Sequence, residues 1–190
     1  MVALIISGFL ALLVLGYAVV IYNGLVRVRN EVKLAWSNID VLLVQRHEEL
    51  PKLIEVCKGY MQHERGTLES VARARSSVEG ARSTGNVASV SVAEGALRSG
   101  LSSLFAVAER YPELKANDLF RNLQTRITAL ETAIADRREV YNDAANAVNV
   151  RLETFPDLLI GQLFHFRPAT MLKFSDSETG DVDLKPAFGR

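Results

Sequence analysis

Apolar side chains return at steps of three and four through Leu25, Val28, Val32, Trp36, Ile39, Leu43, Leu50, Leu53 and Cys57, with Arg46 at one position of the same stripe. That spacing lays one face along a helix. Neither Gly nor Pro occurs between Leu25 and Leu50, so residues 22–64 predict one long helix around which the chain is organised. Upstream, from Val2 to Tyr22, no side chain is charged, and Ser7, Tyr17 and Tyr22 are the only polar interruptions. At 1.5 Å per residue this stretch is about 30 Å long, the thickness of a bilayer's hydrocarbon core. It predicts a transmembrane helix that runs on into the first helix of the body.

Pro51 removes one backbone donor and crowds the preceding turn, but no turn-forming cluster accompanies it, so the sequence favours a kink over a reversal. The stripe resumes through Ile54, Met61, Leu68, Val71 and Val78. The first reversal is expected in residues 76–91, where Gly80, Ser83, Thr84, Gly85 and Asn86 gather. Ser91 and Glu94 stand at capping-box spacing before a second stripe, Ala93, Leu97, Leu101, Leu104 and Ala108, which Pro112 bounds. Asn117 or Asp118 caps a third helix with Phe120, Leu123, Ile127, Leu130, Ile134, Tyr141 and Val148 inward, where Arg137 and Ala144 occupy the skipped positions. Its heptad-like register suits antiparallel packing on the first helix until Pro156 stops it.

After Phe155 an apolar stretch reaches Phe174, and Leu158, Leu159, Ile160, Leu163, Phe164 and Phe166 predict a short helix. Closing the end of the bundle is favoured for it over lying on a membrane surface or a partner. A polar tail from about residue 175 is expected to be disordered. The fold class is therefore all-α, a transmembrane helix continuing into an antiparallel up-and-down bundle of three to four long helices. Its expected divisions are residues 1–22 for the span, 23–166 for the bundle and 167–190 for a C-terminal extension.

Composition narrows the function. Lys plus Arg number 22 against 22 Asp plus Glu, so there is no overall basic field to hold nucleic acid, and none is expected as a partner. The single cysteine, Cys57, cannot form an internal disulfide, and its stripe position reads as a small buried apolar residue. A cleaved signal peptide is the rival to the span, since Gly16, Tyr17 and Ala18 offer small residues at cleavage spacing. There is no basic n-region, and the apolar run continues through Val19, Val20 and Ile21, so retention is favoured. Arg27, Arg29 and Lys33 follow the span closely, which favours a cytoplasmic body. Ala3, Ser7 and Ala11 repeat every four residues, a weak hint that two spans approach each other.

Catalytic patterns are not found. His47-Glu48 and His63-Glu64 lack the paired histidines of a zinc helix, no histidine has a Glu three residues before it, and no phosphate or dinucleotide loop or nucleophile elbow occurs. No enzyme, cofactor or metal is expected. Asp40, Arg46, Glu64, Glu131, Arg137 and Arg138 lie on or beside apolar stripes, where an unpaired charge is costly, and are candidate structural ion pairs or snorkelling edge residues. A straight helix over residues 23–82 would reach about 90 Å, against about 30 Å for residues 91–110 and about 55 Å for 118–154. Trp36, Ile39 and Leu43 would then be left for the C-terminal segment, another subunit or a membrane partner, and form the candidate interaction surface.

Several separated motifs resemble the LemA family of bacterial membrane proteins. They are the YN, RN, AWSNID, Arg46 to Pro51 and KGYMQHE segments within residues 22–64, and YPELKAN at residues 111–117. Glu131, Arg137 or Arg138, Tyr141-Asn142 and Phe155-Pro156 follow in order, with Val148-Asn149 standing where the family often has a second Tyr-Asn. The resemblance implies a single-pass protein of the bacterial inner membrane, or of an internal membrane derived from it, with a cytoplasmic helical bundle and no known catalytic activity. One branch is similar to MamQ proteins of magnetosome membranes, which implies membrane organisation or assembly. The expected function is a self-associating membrane scaffold, a homo-oligomer on the bilayer. The alternatives are an adaptor for a membrane enzyme such as a protease, or a sensor.

Overall fold

A computed structural model describes residues 1–172 of the chain, and every described element is helical. The first, α1 (Val2–Tyr60), passes through Pro51 without a break. It is followed by α2 (Arg65–Ser83), α3 (Val87–Ala108), the short α4 (Pro112–Ala116), α5 (Asp118–Glu153) and α6 (Asp157–Leu163). The expected polar tail lies outside the described residues.

The chain reverses earlier than its composition suggests. It leaves α1 at Met61, whose side chain is fully buried and whose amide donates to the Cys57 carbonyl at 2.8 Å. The Glu64 amide then donates to the Met61 carbonyl at 3.0 Å, and α2 returns along α1. Arg75 reaches the His47 carbonyl at 3.1 Å, and Arg82 reaches Asp40 at 2.7 and 3.1 Å. The first reversal is thus at residues 61–64, and residues 84–86 make the second. Asn86 caps α3 by accepting from the Ser89 amide at 3.1 Å, so Ser91 and Glu94 lie inside the helix rather than at its start. Gly100 of α3 is buried facing Val71 of α2.

α5 begins at the Asn117 cap, whose side chain accepts from the Phe120 amide at 3.0 Å, and runs antiparallel to α1. Glu49 meets Arg126, Arg46 meets Glu131, Trp36 stacks edge-on against Tyr141, and Gly24 lies under Arg151. Leu50, Leu53, Cys57, Leu97, Leu104 and Phe120 fill the distal core with the α2–α3 hairpin over them. Ala35, Ile39, Leu43, Val90, Ile134 and Tyr141 form a second core nearer the apolar N-terminal part of α1.

That second core is closed by the chain's own C-terminal segment. The Asn142 side chain donates to the Leu172 carbonyl at 2.9 Å and accepts from the Leu172 amide at 2.8 Å. Asn149, two helical turns on, makes the same pair of bonds with Ala169 at 3.0 and 2.7 Å. Tyr141 donates to the Thr170 carbonyl at 2.8 Å. The packed body therefore extends to Leu172, past the expected boundary at 166, because these asparagines satisfy backbone groups that would otherwise be buried unpaired.

Candidate functional site

Two places concentrate residues that packing alone does not require. The first is a buried ionic cluster at the centre of the bundle. Arg46 is 1% exposed and donates to Glu94, 4% exposed on α3, and to Glu131 on α5. Arg98 approaches the other Glu131 oxygen at 3.4 Å. One guanidinium therefore ties three helices together through charge-assisted bonds. Burial by itself would lower the Arg46 pKa, but the two carboxylates outweigh it and hold the pKa above its ordinary value. The buried Arg138 is held below the ordinary range, by burial first and then by Arg98. One turn away Arg126 pairs at 2.7 Å with Glu49, a buried carboxylate that Lys52 also approaches at 3.2 Å.

His47 lies beside this cluster with Arg75 at 2.6 Å from Nε2, so the neutral ring accepts there. Burial first, and then the Arg75 charge, lower its pKa. Among the described residues no group of three or more His, Cys, Asp or Glu side chains could hold a metal.

The second place is the junction of the candidate span and the bundle. Ile21 and Leu25 are already buried, so the body begins directly where the apolar run ends. The Arg151 guanidinium lies across Gly24, where a Cβ would stand 2.7 Å from its Nη2, and pairs with Asp157 of α6 at 2.5 Å. Tyr22 packs against Phe164 and Phe166 with ring centroids 4.7 and 5.9 Å apart, and Arg29 lies 5.0 Å over the Phe166 ring. α6 packs on both α1 and α5 here.

The residues singled out from the sequence separate accordingly. Arg46 and Glu131 pair with each other, Asp40 pairs with Arg82, and Glu64 pairs with Arg110 at 2.8 Å near the distal corner. Arg138 is interior, whereas Arg137 points outward, because the inward face of α5 passes through Ile134, Arg138 and Tyr141. The candidate interaction surface needs correction. Ile39 and Leu43 are buried and Trp36 is half-buried against Tyr141, because α2, α5 and Leu172 cover the stripe that an overlong first helix would have left open. A self-associating scaffold and an adaptor placed on that stripe lose their docking face alike. Glu49 and Arg126 escaped the sequence reading, Glu94 reads there as half of a capping box, and Asn142 and Asn149 stand out only as family motif residues and not as clamps. A carboxylate at Glu94 among Val90, Leu97 and Leu101 was a usable cue, since an acid inside an apolar stripe calls for a buried cation.

Val2, Ala3, Ser7 and Ala11 lie on the exposed apolar part of α1, which Tyr22 ends. This part is long and apolar enough to cross a membrane and is almost wholly unburied by the rest of the chain. Span, junction and bundle define a class: an all-helical body grown without a linker from a candidate membrane anchor. The chain belongs to the LemA family, whose model matches residues 35–185. It is 29% identical to Protein LemA of Metamycoplasma hominis over 165 residues, covering 85% of this chain and 73% of that protein. It is also 30% identical over 92 residues to Magnetosome protein MamQ 2 of Paramagnetospirillum magneticum, and 26% identical over 92 residues to Magnetosome protein MamQ of Magnetospirillum gryphiswaldense. Those two matches cover 48% of this chain and only 33% of each MamQ protein's length.

Proposed function

We propose that this chain is a non-enzymatic scaffold of the bacterial inner membrane, or of an internal membrane derived from it. It self-associates and organises the bilayer or an assembly within it, with the bundle on the cytoplasmic side. The observation that carries this reading is the continuity of α1, which supplies 59 residues to span and bundle alike. With Ile21 and Leu25 locked in the core, an orientation imposed on the bundle is transmitted to the span, and the reverse. The kinship with magnetosome MamQ proteins supports a role on membranes. Since the Ile39 and Leu43 stripe is internal, the copies meet through their spans, where Ser7, Ala11 and Ala18 line one shallow groove flanked by Leu10, Val14 and Leu15. Small residues there let two helices approach closely. Arg27, Arg29 and Lys33 beyond the span favour the cytoplasmic placement.

The mass of the full chain in nanodiscs, compared with a chain beginning at Asn23, tests this. A discrete oligomer that is lost with the span is expected. Monomers at every working concentration would contradict self-association and favour an adaptor that waits for a different membrane protein.

A further inference from the structure

The end of the bundle nearest the span carries an apolar face that the fold itself leaves open. Phe155 is 74% exposed and Leu163 66%, and Leu159 and Phe164 are also more than half exposed. Other large apolar side chains exposed on the body, such as Leu34, Val41, Val92, Leu119 and Val140, are scattered over α1, α3 and α5. Scattered ones need no explanation, but four within ten residues do. Phe155, Leu159 and Leu163 recur every four residues, so the two that lie in α6 share one of its faces. The opposite side of α6 is occupied: Gly161 is buried against Leu152, where a Cβ would stand 2.7 Å from a methyl.

Height decides what this face meets. Phe164 packs on Tyr22, the last residue of the uncharged run, and Phe166 lies under Arg29. The seven residues of α6 span only about 10 Å. The whole helix therefore stays within about 10 Å of the level at which α1 leaves the hydrocarbon, the depth at which interfacial helices bury their apolar faces. Taking residues 2–22 as a membrane span, we infer that Phe155, the Leu159 and Leu163 face of α6, and Phe164 just beyond it insert into the interfacial zone of that same bilayer. The body then stands on the membrane at two points, the span and α6, and the Arg151–Asp157 pair over Gly24 fixes the angle between them.

Nitroxide collision measurements on the full chain in nanodiscs of phosphatidylethanolamine and phosphatidylglycerol test this. Labels are carried singly at Leu163→Cys, Leu159→Cys, Leu13→Cys in the span and Val92→Cys on α3, with the buried Cys57 left in place. Helix content by circular dichroism verifies each folded variant. The expected result is that labels at 159 and 163 collide more with oxygen than with a water-soluble nickel chelate, as the Leu13 label does, while Val92 shows the reverse. If Leu13 is lipid-facing but 159 and 163 match Val92, the inserted face is refuted and the anchor stands. If 159 and 163 are shielded from both reagents, protein covers the face and the inference is likewise overturned. If Leu13 itself meets the chelate, the span is refuted and the inference with it.

Discussion

Asn142 and Leu172 exchange two hydrogen bonds, the asparagine amide donating to the leucine carbonyl at 2.9 Å and its oxygen accepting from the leucine amide at 2.8 Å. One side chain thereby does for an extended segment what a neighbouring strand would do. Leu172 becomes part of the core that holds Ala35, Ile39 and Leu43.

Asn142→Ala strands both backbone groups of Leu172. A loss of at least about 1 to 3 kcal/mol is expected, the cost of a single buried group left unsatisfied, since water reaching one of the two lowers the sum. Amide hydrogen exchange should quicken at Ala169 to Leu172 before it quickens in the distal core. Unchanged protection of those amides would show that the clamp does not hold the segment.

Arg46→Met leaves Glu94 buried without its cation and should cost about 3 to 5 kcal/mol in urea unfolding. The double variant Arg46→Met with Glu94→Leu removes both members of this buried pair, while Arg98 remains close to Glu131. It should recover most of the loss. A double variant as unstable as the single one would mean that Arg46 acts through packing and not through its charge.

The His47 ring is held neutral by burial and by Arg75, so its folded pKa lies below the ordinary value of about 6.5. Below that value the unfolded chain takes up the proton first. The stability His47 contributes is therefore complete above about pH 6.5 and falls as the pH drops toward the folded pKa. His47→Gln removes the titration, and its unfolding free energy should fall less steeply than wild type on acidification. Parallel slopes would contradict the assignment.

Cys57 sits in the distal core with its thiol pushed up to about 12 by burial. Only the thiolate attacks a disulfide reagent, so Cys57 should react at the rate of unfolding and not at that of an exposed thiol. Rapid labelling under native conditions would show that α2 and α3 open easily.

The long helices are legible in sequence because each buries one unbroken stripe, Leu25 to Cys57 on α1 and Phe120 to Val148 on α5. The corner at Met61 is not, because its tip holds no Pro, Gly or Asn and is fixed instead by burying the methionine. Gly59, Gly66 and the gap between Met61 and Leu68 are its only local signs. Missing that corner lengthens the first helix on paper and leaves Ile39 and Leu43 falsely uncovered. The charged centre is half legible: Arg46 and Glu131 stand out from their stripes, while Glu94 sits at the spacing of a capping box that Asn86 in fact makes unnecessary. The asparagine clamps could not be read, since their partners are backbone groups, which any residue supplies.

The most direct test of the scaffold is energy transfer between donor- and acceptor-labelled copies of the full chain in vesicles, measured against protein density and repeated with Ser7→Leu plus Ala11→Leu. The account predicts transfer above random crowding that unlabelled wild-type chain competes away and that the filled groove abolishes. Transfer that rises only with surface density, alike in both proteins, would contradict it.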